Sequence, residues 1–114
     1  MIELRLLQYL ADGGFTAYME MPKDFRVPLV IIEKTSGDRV GPGVYTATFA
    51  VQCYEKTLYE TAELAYRVRD YMEDFAAGDS ICHCELNTGP YSFNHPGRKE
   101  YRYQLVYNIT YYKE

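Results

Sequence analysis

The residues most capable of chemistry are three cysteines and two histidines: Cys53, Cys82, His83, Cys84 and His95. Thiolate and imidazole are the ligands that zinc prefers, and a cysteine beside a histidine is also the usual basis of a thiol nucleophile. The spacing argues against zinc, because alternate strand residues share a face, so Cys82 and Cys84 point together while His83 points away. No second cysteine pair with zinc-ligand spacing is present. We therefore expect no metal ion and no cofactor.

Thiol, acid–base and phosphate chemistry are also disfavoured by the pattern. A catalytic cysteine needs a nearby cation or helix N-terminus to lower its pKa, whereas all three cysteines fall in predicted strands. Their odd number and the lack of a visible export signal favour free thiols in a reducing compartment. Glu73 and Asp74 are neighbours on a helix surface and point in different directions, which argues against general acid–base catalysis by this pair. The glycine-rich residues 37–43 lack the Gly-Lys-Ser/Thr sequence that ends a phosphate-binding loop. We predict that the protein is not an enzyme.

The composition is that of an ordinary globular protein. The 114 residues suit one domain spanning residues 1–114, and the apolar and charged fractions are 47% and 25%. The longest apolar run, residues 27–32, contains Pro28 and is far shorter than the roughly 20 residues of a membrane span. The net charge of −4 comes from residues 55–79, which hold seven acids and three bases. A net-acidic chain without a basic stripe argues against a duplex-binding module.

Hydrophobic periodicity predicts two helices separated and followed by strands. Gly13 and Gly14 end the first helix, and residues 15–21 give only a weak strand pattern. The predicted elements are a helix at 2–11, strands at 15–21, 27–34 and 44–54, a helix starting after Thr57, strands at 81–88 and 101–111, and loops at 36–43 and 89–99.

The central helix has the clearest sequence signals. Thr57 and Glu60 have the spacing of a capping box, and Gly78 is a natural stop. The acids of this segment occupy mainly one side, which predicts that the other side docks on a sheet. The residues expected on the docking face are Leu58, Ala62, Ala65, Val68 and Met72.

The element order predicts an α+β fold, a curved and mostly antiparallel sheet of four to five strands with two helices packed on one face. Thirteen tyrosines and no tryptophan suit strands with a solvated face, or interfaces. The two loops are longer than hairpins need, so we expect them to be mobile in an isolated subunit and ordered on assembly. The residues expected to make contacts are Asp38, Arg39, Arg98 and Lys99 through charge, and Tyr91 and Phe93 as apolar anchors.

Taken together, this layout resembles the phage tail terminators, small proteins that cap the head-proximal end of a long tail tube. The similarity covers nearly the whole chain, from the short N-terminal helix to the last strand. The segments that carry it are residues 27–34 (VPLVIIEK), 49–54 (FAVQCY), 60–65 (ETAELA) and 101–105 (YRYQL).

The resemblance implies a homo-oligomeric ring, usually a hexamer, located in the virion neck after assembly in the host cytoplasm. Such a ring contacts the tail tube protein and the head-completion or connector protein, and DNA passes through its lumen without specific binding. No membrane is involved. Head-closure and other neck proteins of similar size stay open as alternatives. So do a domain that holds a small ligand or peptide on its tyrosine-rich sheet and, third, a small cysteine enzyme.

Overall fold

The computed structural model describes residues 1–77 and 80–113, apart from the side chain of Cys82. Its five strands form one sheet in the order β1-β2-β3-β5-β4, in which only the β1–β2 pair is parallel. The predicted α+β fold is confirmed. The elements are α1 (Ile2–Asp12), β1 (Ala17–Tyr18), β2 (Leu29–Gly41), β3 (Val44–Glu55), α2 (Leu58–Met72), a 3₁₀ turn (Phe75–Ala77), β4 (Ile81–Ser92) and β5 (Tyr101–Tyr112).

One face of the sheet forms the main core with both helices. Strand alternation sends every second residue of β3 and β5 towards this layer, as the sequence pattern predicts. Leu6 and Leu10 of α1 meet this face, and the shared cluster includes residues from α2 and from strands β2 to β5. The buried residues that β3 and β5 supply are Ala47, Phe49, Val51, Cys53, Leu105, Tyr107 and Ile109.

Helix α2 has the predicted cap but a rotated contact face. The Thr57 hydroxyl accepts a hydrogen bond from the Glu60 amide at 3.1 Å, which confirms the cap. The prediction that Leu58 and Ala62 dock on the sheet was wrong, because Leu58 is 46% exposed and Ala62 is only half-buried. The helix starts just beyond the end of β3, so its first turn has little sheet beneath it. The residues that pack inwards are Thr61, Leu64, Ala65, Val68 and Met72.

A polar residue enters this apolar face because its hydroxyl has a local partner. Thr61 is fully buried, and its Oγ1 donates to the Thr57 carbonyl at 2.6 Å, which removes the penalty of burying the group unbonded. The predicted helix stop at Gly78 and the acid Asp79 lie outside the described residues.

Both predicted loops extend too far, because strands continue into residues 36–41 and 89–92, whereas residues 42–43 and 93–99 do lie outside strands. β2 runs through residues 36–41 and turns only at Pro42 and Gly43, where Gly43 has φ +72°. β4 continues to Ser92. Gly89 lies inside β4 at a close approach, since an added Cβ would be 2.5 Å from the Gln104 carbonyl oxygen. The irregular segment is therefore residues 93–100, and glycine and proline inside strands produced the error.

The strand registers define two ends of an elongated molecule whose longest extent is 45 Å. At the hairpin end, Gly41 pairs with Val44, and Val44 pairs with Tyr112. At the other end, Leu29 pairs with Tyr54, and Glu55 pairs with Tyr101. α2 begins at Leu58, three residues after Glu55, and therefore at this second end. After α2, the Ser80 carbonyl accepts a hydrogen bond from the Tyr112 amide at 2.8 Å, at the hairpin end. The chain thus crosses the molecule from the second end back to the hairpin end between Leu58 and Ser80.

Candidate interaction surface

A cleft of about 720 Å³ opens at the end of the sheet opposite the hairpin. Three separate stretches of chain form it: the segment before β2, the link between β3 and α2, and the segment before β5. Antiparallel pairing brings them together, because β2 and β5 begin where β3 ends. We call this feature the basic cleft; its residues are Phe25, Arg26, Val27, Lys56, Lys99 and Glu100.

The basic cleft has three cations and one carboxylate. Arg26, Lys56 and Lys99 are exposed, whereas Glu100 is half-buried and its carboxylate lies 3.9 Å from Arg98 Nη1. Across residues 1–77 and 80–113, no carboxylate lies within ion-pair distance of Arg26, Lys56 or Lys99. The residues that line the cleft therefore carry a net positive charge on a chain whose net charge is −4, which suits an anionic group.

Cation–π contacts position the walls of the cleft. The Arg98 guanidinium lies 5.0 Å from the centre of the Phe25 ring, which joins the segment before β5 to the segment before β2. Phe25 and Val27 also pack on a small apolar cluster of Leu29, Ile31 and Tyr54, on the sheet face that the helices do not cover. The cleft is thus supported by packed side chains.

Arg102 anchors residues 93–100 to the same sheet face. It is only 7% exposed; its Nε donates to the Phe93 carbonyl, and its Nη1 donates to the Tyr54 hydroxyl at 3.3 Å. Its guanidinium also lies 4.5 Å from the centre of the Phe93 ring, and its amide donates to Asn94 Oδ1 at 3.2 Å. This buried cation is satisfied by neutral groups and aromatic faces, so its main effect is to fix the segment that leads to the cleft.

A short polar ladder crosses the sheet beside Arg102. Gln104 Nε2 donates to the Tyr91 hydroxyl at 2.6 Å, and Gln52 Nε2 donates to Gln104 Oε1 at 3.1 Å. Both glutamines are at most 9% exposed, so these hydrogen bonds compensate for burying their amides. Tyr91 is therefore a half-buried strand residue and does not lie in a loop, while its predicted role as an apolar contact stays a prediction.

The six predicted contact residues divide between the two ends of the molecule. Tyr91, Phe93, Arg98 and Lys99 lie near the cleft end, and Phe93 remains 46% exposed. Asp38 and Arg39 are exposed on the outer half of β2, opposite Thr46 and Tyr45, near the hairpin end.

Arg26 and Lys56 were missed by the sequence analysis. A signal for them existed: one precedes β2 and the other follows β3, so pairing these strands as a hairpin places both at the same end.

A second charged feature lies where the two helices end. Asp12 ends α1, which has no basic residue in its last turn, and Asp70, Glu73 and Asp74 lie at or just beyond the last turn of α2. Tyr9 and Tyr71 hydrogen-bond to each other's backbone carbonyls, so the ends of both helices lie close together. Burial, Tyr71 and the Asp74 carboxylate raise the pKa of Tyr9, and burial and the Asp12 carboxylate raise the pKa of Tyr71. We call this feature the acidic corner; its members Asp12, Asp70, Glu73 and Asp74 are all exposed.

Among the described side chains considered for thiol chemistry or metal binding, Cys53 and Cys84 are packed in or against the core and His83 is exposed. Burial raises the pKa of Cys53 to about 12 and that of Cys84 to about 11, so both are protonated at neutral pH. His83 Nε2 lies 3.4 Å from Glu85 Oε2 in the solvent, whereas Cys84 packs against the core. The side chain of Cys82 lies outside the described residues. In the part of the chain that is described, no three histidine, cysteine or acidic residues cluster as metal ligands.

Among the described residues, no helix is long and apolar enough to cross a membrane. No protein-family model matches the chain, and no curated protein is significantly similar to it in sequence.

Proposed function

We propose that this chain is a structural subunit of a tailed bacteriophage virion, similar to tail terminators. Copies of it form a ring, usually a hexamer in proteins of this kind, on the head-proximal end of the tail tube. The ring joins the tube to the head-completion or connector protein, and DNA passes through its lumen without specific binding. The proposal starts from the sequence resemblance and draws support from the surfaces of the fold.

The observation that carries the proposal is the exposed outer half of β2. This 13-residue strand pairs with β1 only at Val30 and Ile31, and residues 33–40 are all exposed. Exposed edge strands are normally short or covered, because their free backbone groups invite pairing with another chain. A long strand that extends beyond its core therefore suits contact with a neighbouring subunit.

Two unlike ends also suit a ring. A ring needs a heterologous interface, in which each copy offers two different complementary surfaces. The exposed β2 edge and the basic cleft lie at opposite ends of the molecule, and the acidic corner adds a third distinct surface. The two described thiols are protonated, so they give the alternative of a cysteine enzyme no reactive nucleophile.

The test is to follow the oligomeric state of the purified protein by sedimentation velocity and to image it by electron microscopy, alone and with tail tubes. We expect closed rings or a cap on one end of each tube. The swap Asp38→Arg with Arg39→Asp keeps the net charge and exchanges the charges on the exposed edge, so it should leave the fold intact but weaken assembly. A protein that stays monomeric at high concentration and does not bind tubes would refute the proposed function.

A further inference from the structure

We infer that the basic cleft is the docking site for a second copy of this chain, and that the acidic corner of that copy is the group it receives. This inference rests on the proposed ring and names the contact that would close it. The two surfaces occupy different places on one subunit, so a contact between them is head-to-tail: one copy keeps a free acidic corner and the other keeps a free basic cleft, to which further copies can add until a ring closes.

Charge complementarity supports this occupant. The cleft offers Arg26, Lys56 and Lys99 without carboxylate partners among the described residues, and Glu100 is beside Arg98. In the acidic corner, Asp70 is 3.0 Å from Arg69, whereas no cation lies within ion-pair distance of Asp12, Glu73 or Asp74 in the described chain. Each surface therefore lacks the counter-charges that the other provides.

The acidic corner is unfavourable for an isolated subunit, which points to an external partner. Carboxylates near helix C-termini face the negative end of the helix dipole, where lysine or arginine is favoured. Here the ends of both helices carry acids; α1 has no basic residue in its last turn, and α2 has Arg69, which pairs with Asp70 at 3.0 Å. A partner that supplies cations would relieve this repulsion.

The spacing of the two surfaces prevents them from pairing within one subunit. α2 starts next to Lys56 and has 15 residues, so its last turn lies roughly 20 Å from the cleft at the usual rise per residue. That separation exceeds a Debye length of about 8 Å at physiological salt, so the two charges do not neutralise each other internally.

The first experiment measures association of the wild type and of two charge-reversed variants by sedimentation velocity. The cleft variant is Lys56→Glu with Lys99→Glu, and the corner variant is Glu73→Lys with Asp74→Lys. All four side chains are exposed, so circular dichroism melts should match the wild type. Each variant alone should associate about tenfold more weakly or worse, and raising sodium chloride from about 0.05 M to about 0.5 M should weaken the wild type.

An equal mixture of the two variants is the decisive arm. In the mixture each reversed cleft meets a reversed corner, and each native cleft meets a native corner, so assembly should recover in an alternating arrangement. The charge-preserving control Lys56→Arg with Lys99→Arg should assemble like the wild type.

The outcomes separate the contact from the proposed function. Rings that persist unchanged in both reversed variants, or a mixture that fails to recover, would overturn this contact and leave the ring proposal standing. A wild type that stays monomeric would overturn both. A monomer that binds single-stranded DNA in fluorescence anisotropy, and loses it in the cleft variant, would instead make the cleft a phosphate site.

Discussion

Tyr9 and Tyr71 exchange two hydrogen bonds across the ends of the two helices. The Tyr9 hydroxyl donates to the Tyr71 carbonyl at 2.7 Å, the Tyr71 hydroxyl donates to the Tyr9 carbonyl at 2.6 Å, and the ring centroids lie 4.3 Å apart. The Tyr71 hydroxyl adds a second donor to the Tyr9 carbonyl, which also accepts from the Gly13 amide at 3.2 Å, and the Tyr9 hydroxyl gives a donor to the Tyr71 carbonyl, so the pair ties the two helices together.

Removing one of these hydroxyls should destabilise the protein measurably. Tyr71→Phe keeps the stacked ring but loses one donor, so we expect a loss of about 0.5–1.5 kcal/mol in the free energy of unfolding. Urea denaturation followed by circular dichroism measures it. Tyr59→Phe is the matched control, because Tyr59 is on the same helix and is 77% exposed. Equal denaturation midpoints for the two variants would contradict a structural role for the hydroxyl.

Gly13 is required by the same tyrosine pair. A Cβ built at this position would lie 2.4 Å from Tyr71 Cζ, so Gly13→Ala must displace a ring that two hydrogen bonds hold in place. We expect a loss of about 1–3 kcal/mol, the usual cost of overpacking. Gly41→Ala is the control, because nothing lies within 4 Å of its added Cβ. A thermal melt of each variant gives the comparison, and a neutral Gly13→Ala would show that the ring can move freely.

The sequence predicted most elements of the fold because their signals are local. Alternation identified β3 and β5, and the Thr57 cap gave the start of α2. The rotation of α2 was missed because Thr61 has a polar side chain, and its burial depends on a bond back to Thr57 that hydropathy does not register. The two predicted loops extended too far because Gly37 and Gly89 resemble turn residues, whereas inside strands they accommodate close neighbours.

The candidate surface was only half visible in the sequence for a different reason. Arg98 and Lys99 are adjacent in the chain and were noticed together. Arg26 and Lys56 are 30 positions apart in the numbering and meet only through the pairing of β2 with β3. A surface built from three separate chain segments requires the strand order, which local patterns do not contain.

The corrected register of α2 can be tested with two leucines on one helix. Leu64 is 2% exposed and Leu58 is 46% exposed. Leu64→Ala should cost about 2–5 kcal/mol through lost burial and a cavity, whereas Leu58→Ala should cost about 0.5 kcal/mol. Urea midpoints at constant m-value measure the difference. The reverse order of the two costs would restore the face predicted from the sequence.

Cys53 should make the protein less stable at alkaline pH. Burial raises the pKa of its thiol from 9.0 to about 12 in the folded state, so between these values the unfolded chain has lost this proton while the folded chain keeps it. Stability from this group is fully present below pH 9 and declines as pH rises towards 12, by up to about 1.4 kcal/mol per pH unit.

The comparison with Cys53→Ala isolates this thiol from the lysines and tyrosines that titrate in the same range. At neutral pH the variant should be less stable than the wild type, because it leaves a small cavity. The gap should stay constant from about pH 6 to about pH 8 and narrow above about pH 9, where only the wild type loses stability through this group. Urea denaturation at each pH provides the data. A gap that is constant up to high pH would show that the thiol is not shielded from solvent.

Arg102 should control how firmly residues 93–100 are held beside the cleft. Arg102→Met keeps an unbranched apolar stem but removes the donors to the Phe93 carbonyl and the Tyr54 hydroxyl, together with the cation over the Phe93 ring. Replacing a buried cation by an apolar residue is often nearly neutral for global stability, so a denaturation curve alone is a weak test.

Local opening is the sharper measure, because proteolysis reports segments that detach without global unfolding. Trypsin cuts after Arg98 and Lys99, and we expect cleavage there to be about tenfold faster in Arg102→Met, the change that about 1.4 kcal/mol of lost local stability produces. Arg39→Met is the control, because Arg39 is exposed at the other end of the sheet. Equal cleavage rates in both variants and the wild type would mean that the Asn94 hydrogen bond and the strand pairing hold this segment without the guanidinium.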